Sequence, residues 1–335
     1  MEELEERLSR PTGGVVDALR QSSGDVLVLG AGGKMGVTLS RMIRRGLDEA
    51  GSDARVVAAS RFGNADAEHR LRSARVDTVH CDLLDPGAVA ALPDAPNVIF
   101  MAGQKFGTMA APATTWALNV VVPAIVAQRF SKARFVVFST GNVYPLTPIS
   151  RGGSREGDAL GPVGEYAYSC VGRERVFEHF ATRFGAPLAV VRLNYANDLR
   201  YGVLTDIALA VWRREPIQLA MGAVNVIWQG DANAWALQCL PRATEPPFVL
   251  NVTGATTLEV RSIAERFGEL LGREPVLVGE EAPDALLSNA ARAEALFGPP
   301  VVSTESLIEW TASWVKHGGE LLGRPTHFGE RGGSF

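Results

Sequence analysis

Val26-Leu27-Val28-Leu29-Gly30-Ala31-Gly32-Gly33-Lys34-Met35-Gly36 is the stretch whose reading decides the fold. Four consecutive apolar residues have the character of a strand buried on both faces. They enter a glycine-dense turn, after which Leu39, Met42 and Ile43 recur at helical spacing. Such a strand–turn–helix aims free backbone N–H groups and the positive end of a helix dipole at one point, which suits a pyrophosphate. Gly30 lets the chain reverse, Gly33 removes a side chain that would stand over the phosphates, and Gly36 lets the helix close on the sheet. The register is G-x-x-G-x-x-G; read as G-x-G-x-x-G, the last required glycine falls on Met35. An ordinary strand-to-helix turn is the plainer alternative, but the strand before and the helix after supply the context a dinucleotide turn needs.

Outward from this turn, apolar runs alternate with amphipathic stretches, the pattern of parallel strands joined by crossover helices. The runs predict strands at 26–29, 55–59, 78–80, 98–101, 135–139 and 188–192. The fold class is therefore α/β, a Rossmann-like doubly wound parallel sheet, with a smaller α/β part after it. Ligands of such sheets sit beyond the carboxyl ends of the strands. Lys34 and Met35 line the first turn. Ser60 and Arg61 follow the second strand, where an arginine in place of an acidic residue suits a 2′-phosphate and favours NADP over NAD. Asp82 and Leu83 end the third strand beside an adenine, and Met101, Ala102 and Gly103 leave room for a cofactor across the fourth.

The whole chain bounds this reading. Its 335 residues suffice for one large or two modest domains, and 46% hydrophobic with 21% charged residues are the proportions of a globular protein. A net charge of -4 gives no reason to expect a nucleic-acid partner. The N-terminus, Met1-Glu2-Glu3-Leu4-Glu5-Glu6, is acidic where a secretion signal is basic, and no apolar run is long enough for a membrane span, so a cytoplasmic location is expected. Three scattered cysteines make no disulfide framework, and five histidines without ligand spacing give no metal site.

The fifth strand leads into Ser139-Thr140-Gly141-Asn142-Val143-Tyr144-Pro145, and further on stands Tyr166-Ala167-Tyr168-Ser169-Cys170-Val171-Gly172-Arg173-Glu174. With the glycine triplet, Asn119 in the helix between, and Arg192-Leu193-Asn194 after the sixth strand, this resembles an extended short-chain dehydrogenase/reductase of the NAD-dependent epimerase/dehydratase family, over roughly residues 25 to 316. The resemblance implies a hydride-transferring oxidoreductase or epimerase acting on a sugar, sugar acid or nucleotide-sugar. In it Thr140 orients the substrate oxygen and Tyr166 exchanges a proton with that oxygen. It implies that Asn119, Tyr166 and Asn194 also contact the cofactor, and that Asn142, Asn194, Tyr195 and Trp228 reach the substrate. It further implies a homodimer through a four-helix contact that includes the Tyr166 helix.

One position departs from the family pattern: its lysine, four residues after the tyrosine, is Cys170 here. That lysine lowers the tyrosine's pKa from an ordinary value of about 10, and a neutral thiol supplies no such charge. Lys105, on the ligand side of the fourth strand, is the preferred catalytic stand-in. Arg173, on the same helix face as Tyr166, is the other. Alternatively Tyr166 only donates a hydrogen bond, or the protein is a non-catalytic dinucleotide-binding sensor.

The domain reading is an N-terminal helix and linker over 1–24, an NAD(P)-binding domain over 25–192, a substrate-binding part over 193–318 and a tail over 319–335. The substrate-binding part is expected to hold strands at 217–220, 224–228 and 248–253 and an amphipathic helix over 258–271, with helices over 286–297 and 306–314 completing it. Arg200, Arg213 and Arg214 are available to clamp a diphosphate, with no spacing that singles them out. The tail is polar and glycine-rich, the composition of a mobile terminus; the alternative is that it folds over the pocket or a partner subunit through His327 and Phe328.

Overall fold

The computed structural model describes residues 2–63 and 65–333. Strands β1 (Val26–Leu29), β2 (Val56–Ser60), β3 (Asp77–His80), β4 (Asn97–Phe100) and β5 (Arg134–Thr140) join Leu188–Leu193 and Phe248–Val252 in one seven-stranded sheet. From one edge the order is Phe248–Val252, Leu188–Leu193, β5, β4, β1, β2, β3. The registers of β1 with β2 and β4, of β2 with β3 and of β4 with β5 are parallel. Chain order reverses at the boundary of β1 and β4, which opens a crevice at their carboxyl ends.

Six strands fall within a residue or so of the runs read from the sequence. The seventh is a correction: Phe248–Val252, read as part of the smaller half, pairs instead beside Leu188–Leu193. An apolar run carries no label for the sheet it will join, because pairing partners are chosen by distant residues.

The N-terminal residues form two helices rather than one and a linker, α1 (Glu2–Leu8) and α2 (Gly13–Gln21). Thr12 caps α2 by accepting from the N–H of Val15 at 3.3 Å, so Gly13 and Gly14 occupy a supported first turn. The buried Glu5 carboxylate takes Arg41 at 3.3 Å and Arg70 at 3.0 Å, and Glu6 takes Arg45 at 2.7 Å. The pairs with Arg41 and Arg45 fasten α1 to α3 (Gly36–Glu49), the helix that follows the glycine turn, and the pair with Arg70 fastens it to the helix Ala65–Ser73.

The long helix Gly164–Phe184 lies on the sheet through Phe177, whose ring stands 5.0 Å from that of Phe100 and 5.3 Å from that of Phe135. Its position is locked by a buried charge pair. Arg192 donates to Glu174 from Nε at 3.1 Å and from Nη2 at 2.8 Å, and Ser139 Oγ donates to the same carboxylate.

The chain divides into two compact units that alternate along the sequence. One holds Met1–Thr140, Gly164–Arg192 and Asn233–Leu250; the other holds Gly141–Val163, Leu193–Ala232 and the chain from Asn251 onward. Only one of these crossings, at 192/193, coincides with a boundary read from the sequence. In the second unit the helices Val203–Arg213, Val260–Leu271 and Thr304–Lys316 pack together. The run expected as one strand over 224–228 is split, Ala223–Val224 pairing Leu258–Glu259 and Ile227–Trp228 pairing Ala196–Asn197. The helix expected from Leu286 starts at Ala291, because Ala285 pairs with Thr147 and Ser288 bridges to Ser154.

Candidate active site

Within the first unit the glycine turn meets the end of β4. Gly30 has a φ of 86°, and a Cβ there would lie 2.7 Å from the backbone nitrogen of Ala102, so no other residue fits. A Cβ on Gly36 would come within 2.5 Å of the Ala31 carbonyl oxygen. Gly33 differs, since a Cβ there would meet only the Gly30 carbonyl at 3.3 Å, and both Gly32 and Gly33 are exposed. Met35 occupies the N-cap of α3 without a side-chain cap bond, and the first amide of the helix, Gly36 N–H, turns back to the Gly33 carbonyl at 3.2 Å. Exposed glycines, unblocked space and an uncapped helix start fit a pyrophosphate.

Ser60 stands against the turn, 2.7 Å from where a Gly32 Cβ would be, a contact that the sequence spacing does not reveal. Arg61 is exposed just beyond it. Phe62, buried at a φ of 41°, meets His80 edge-on at 5.3 Å and closes this corner. Asp82 is exposed and spends Oδ1 on the N–H of Leu84 at 3.0 Å, while Leu83 belongs to the core.

Asn119 lies in a π-helical turn, Ala117–Val121, that directs its side chain inward. Its Oδ1 accepts from the backbone N–H of Gln104 at 2.9 Å; its Nδ2 donates to the Gln104 carbonyl at 3.1 Å and to Ser169 Oγ at 2.8 Å. Fully buried and fully engaged, Asn119 ties the segment after β4 to the long helix. Ser169 completes this tie, and its place in the Tyr-Ala-x-Ser segment was the one signal for it.

Tyr166 sits in the first turn of the long helix, where Thr140, at the end of β5, and Cys170, one turn farther along, both bear on its hydroxyl. Burial pushes the Tyr166 phenol up from its ordinary value, with Cys170 adding to the rise and the Arg173 guanidinium and Thr140 opposing it. Burial pushes the Cys170 thiol up as well, again against the pull of Arg173. Lys105 acts on Cys170 more weakly than Arg173 does, and its ammonium lies 5.6 Å from the Phe106 ring. Thr140, Tyr166, Cys170, Arg173 and Asn119 thus come together in one unit, where a phenol and a hydroxyl can handle a proton beside a fixed positive charge.

In the second unit, Asn194 donates from its backbone to Val252 O at 2.9 Å and from Nδ2 to Asn225 Oδ1 at 3.1 Å. Tyr195, at a φ of 43°, has its phenol pushed up by burial. Asn142 is half-buried in the turn Gly141–Val143. Trp228 is buried with its ring edge-on to Trp310 at 5.8 Å, so its indole is spent on packing. The tail docks on this same unit: Thr326 donates from N at 2.7 Å and Oγ1 at 2.6 Å to Asp206, and Arg331 Nη1 donates to the Ala220 carbonyl at 2.9 Å. Arg324, His327 and Phe328 line a cavity of about 530 Å³ with the Val203–Arg213 helix and Pro216–Gln218.

Among the described residues, no group of three or more His, Cys, Asp or Glu side chains is placed to hold a metal, and no helix is long and apolar enough to cross a membrane.

The model of the NAD dependent epimerase/dehydratase family matches residues 26–196. Solved structures with the same fold include the dTDP-glucose 4,6-dehydratase of Streptomyces venezuelae with NAD bound, at a TM-score of 0.74 and 19% identity over 88% of this chain and 97% of that one. The UDP-glucose 4-epimerase of Thermotoga maritima with UDP-glucose matches at 0.71 and 18% identity over 88% of this chain and 99% of that one. The UDP-glucuronic acid 4-epimerase of Bacillus cereus with NAD matches at 0.71 and 16% identity over 88% of this chain and 96% of that one. No curated relative matches.

Proposed function

Because the chain belongs to the NAD dependent epimerase/dehydratase family, whose members are NAD-dependent enzymes of the short-chain dehydrogenase type, we propose that it moves a hydride between a nicotinamide dinucleotide and a carbohydrate alcohol or ketone. The observation that carries this reading is the Tyr166–Thr140 pair at the end of β5, in the same unit as the open glycine turn.

In this reading the amides of the turn and the start of α3 hold the pyrophosphate, and Ala102 and Gly103 leave the crevice clear. A nicotinamide ring bound there supplies or takes the hydride. Thr140 holds the substrate oxygen by a hydrogen bond, and Tyr166 takes its proton in the oxidising direction and returns it in the reducing one. Arg61 favours NADP by offering a guanidinium to a 2′-phosphate. Asn142, Asn194 and Tyr195 are the groups we assign to the substrate, which is a sugar, sugar acid or nucleotide-sugar. We assign the pairing of two copies to helices including Gly164–Phe184, where Trp116, Val121 and Tyr168 are exposed.

The test is the nicotinamide absorbance band on adding protein to NADPH or NADH with a panel of nucleotide-sugars, sugar acids and ketoses. Turnover that disappears in Tyr166→Phe supports the reading, and full turnover in that variant removes the phenol from the chemistry. A second reading, a dinucleotide sensor without turnover, draws on one observation: Cys170 stands where the family has its lysine, beside a phenol whose burial disfavours ionisation. Tight dinucleotide binding with no substrate turned over would favour it.

A further inference from the structure

Four arginines are buried among the described residues: Arg44, Arg173, Arg192 and Arg200. Three are paired with a carboxylate, Arg44 with Asp48, Arg192 with Glu174 and Arg200 with Asp198. Arg173 is held otherwise. Its Nη1 donates to the Phe138 carbonyl at 2.9 Å and its Nη2 to Asn119 Oδ1 at 2.6 Å, its Nε has no partner, and its guanidinium lies 5.7 Å from the centre of the Phe100 ring. A guanidinium only 6% exposed and held by neutral acceptors is costly unless an anion forms beside it.

The surroundings keep this position open. A Cβ on Gly103 would lie 2.1 Å from Arg173 Nη2, so that glycine is what lets the guanidinium reach the end of β4. Tyr166, Cys170 and Arg173 follow at helical spacing on one face, and helical side chains lean toward the N-terminus, which brings Arg173 back over the turn that carries Cys170.

We propose that Arg173 is the positioning residue that supplies, from one turn farther along the helix, the positive charge the family's lysine would bring to Tyr166, with the Cys170 thiol as a neutral hydrogen-bond partner between them. This rests on reading Tyr166 as the proton-transfer group. In the oxidising direction the substrate O–H proton passes to Tyr166 Oη as the hydride leaves the adjoining carbon, and in the reducing direction it returns. Arg173 takes no part in the proton transfer and acts as a fixed charge. The charged and titratable groups around the phenol are Cys170 and Arg173 on its own helix, Glu174, whose charge is taken up by Arg192, and Lys105 beyond β4, which bears on Cys170.

The experiment places a difluorotyrosine at position 166 of the full chain, so that ionisation of the phenol falls within reach, and follows its fluorine resonance against pH without substrate. Replacing Arg173 by Gln raises the midpoint by about one unit, a tenfold gain in proton affinity. Arg173→Lys leaves the midpoint near the wild-type value, and Cys170→Lys in the Arg173→Gln background restores it. An unchanged midpoint in Arg173→Gln overturns the proposal, and so does a shift that a lysine at 170 does not reverse. Should Arg173→Gln fail to fold by circular dichroism, Gly103→Ala decides, since it displaces the guanidinium without removing it; there too an unmoved midpoint overturns the proposal. Dinucleotide affinity, titrated separately by protein fluorescence, tests the functional reading on its own.

Discussion

At the scale of single residues, the proposed hydride and proton transfer depends on one phenol, Tyr166, whose ionisation burial opposes. Tyr166→Phe removes the proton carrier but no part of the pyrophosphate site, so we expect kcat to fall by about 10² to 10⁴-fold with dinucleotide Kd nearly unchanged, measured by initial rates and fluorescence titration. Arg61→Ala is expected to weaken NADP about tenfold more than NAD, the worth of one charge-assisted bond to a 2′-phosphate; equal losses for both would contradict the assignment. The places of Thr140 at a strand end and Tyr166 at a helix start were legible because motif spacing within one element survives folding. Asn119 was legible as a position but not in its contacts, since its bonds to Gln104, Ser169 and Arg173 need three segments brought together.

At the scale of elements, charge placement sets two further expectations. Asp231, in the first turn of the helix Gln229–Gln238, has its carboxyl pushed above its ordinary 3.8 by burial, against the opposing pull of the Val302 and Val301 N–H groups. The folded state therefore binds this proton more tightly than the unfolded chain. Its stabilisation is complete below the unfolded pKa and is lost as pH rises through the raised folded value. Asp231→Asn cannot ionise, so urea midpoints taken from acid to neutral pH should decline less in this variant than in the wild type. Glu5→Gln breaks the carboxylate's links to Arg41 and Arg70 and should cost about 2 kcal/mol in urea unfolding, between the values for exposed and buried pairs. Helices and strands of the first unit were legible from periodicity. The short strands of the second were not, because two-residue pairings such as Ala223–Val224 with Leu258–Glu259 leave no periodic trace.

At the scale of the whole molecule, the tail is an integral part of the second unit. Removing residues 324–335 deletes the bonds from Thr326 to Asp206 and from Arg331 to Ala220 and opens the cavity lined by His327 and Phe328. We expect a stability loss of about 3 kcal/mol, read as a lower Tm, from several buried or half-buried hydrogen bonds. An unchanged Tm would show that the docked tail contributes nothing to the fold.

By itself, the sequence determined the sheet that carries the glycine turn, the order of motifs along its carboxyl edge and the vacancy of a lysine at position 170, since each is written in residues close together in the chain. Tertiary structure decided the rest. It put Phe248–Val252 into the main sheet, interleaved the two units and placed Arg173 among neutral acceptors on the Tyr166 face. The reason is that strand pairing and the neutralisation of a buried charge depend on which distant segments meet, and local periodicity carries no record of that.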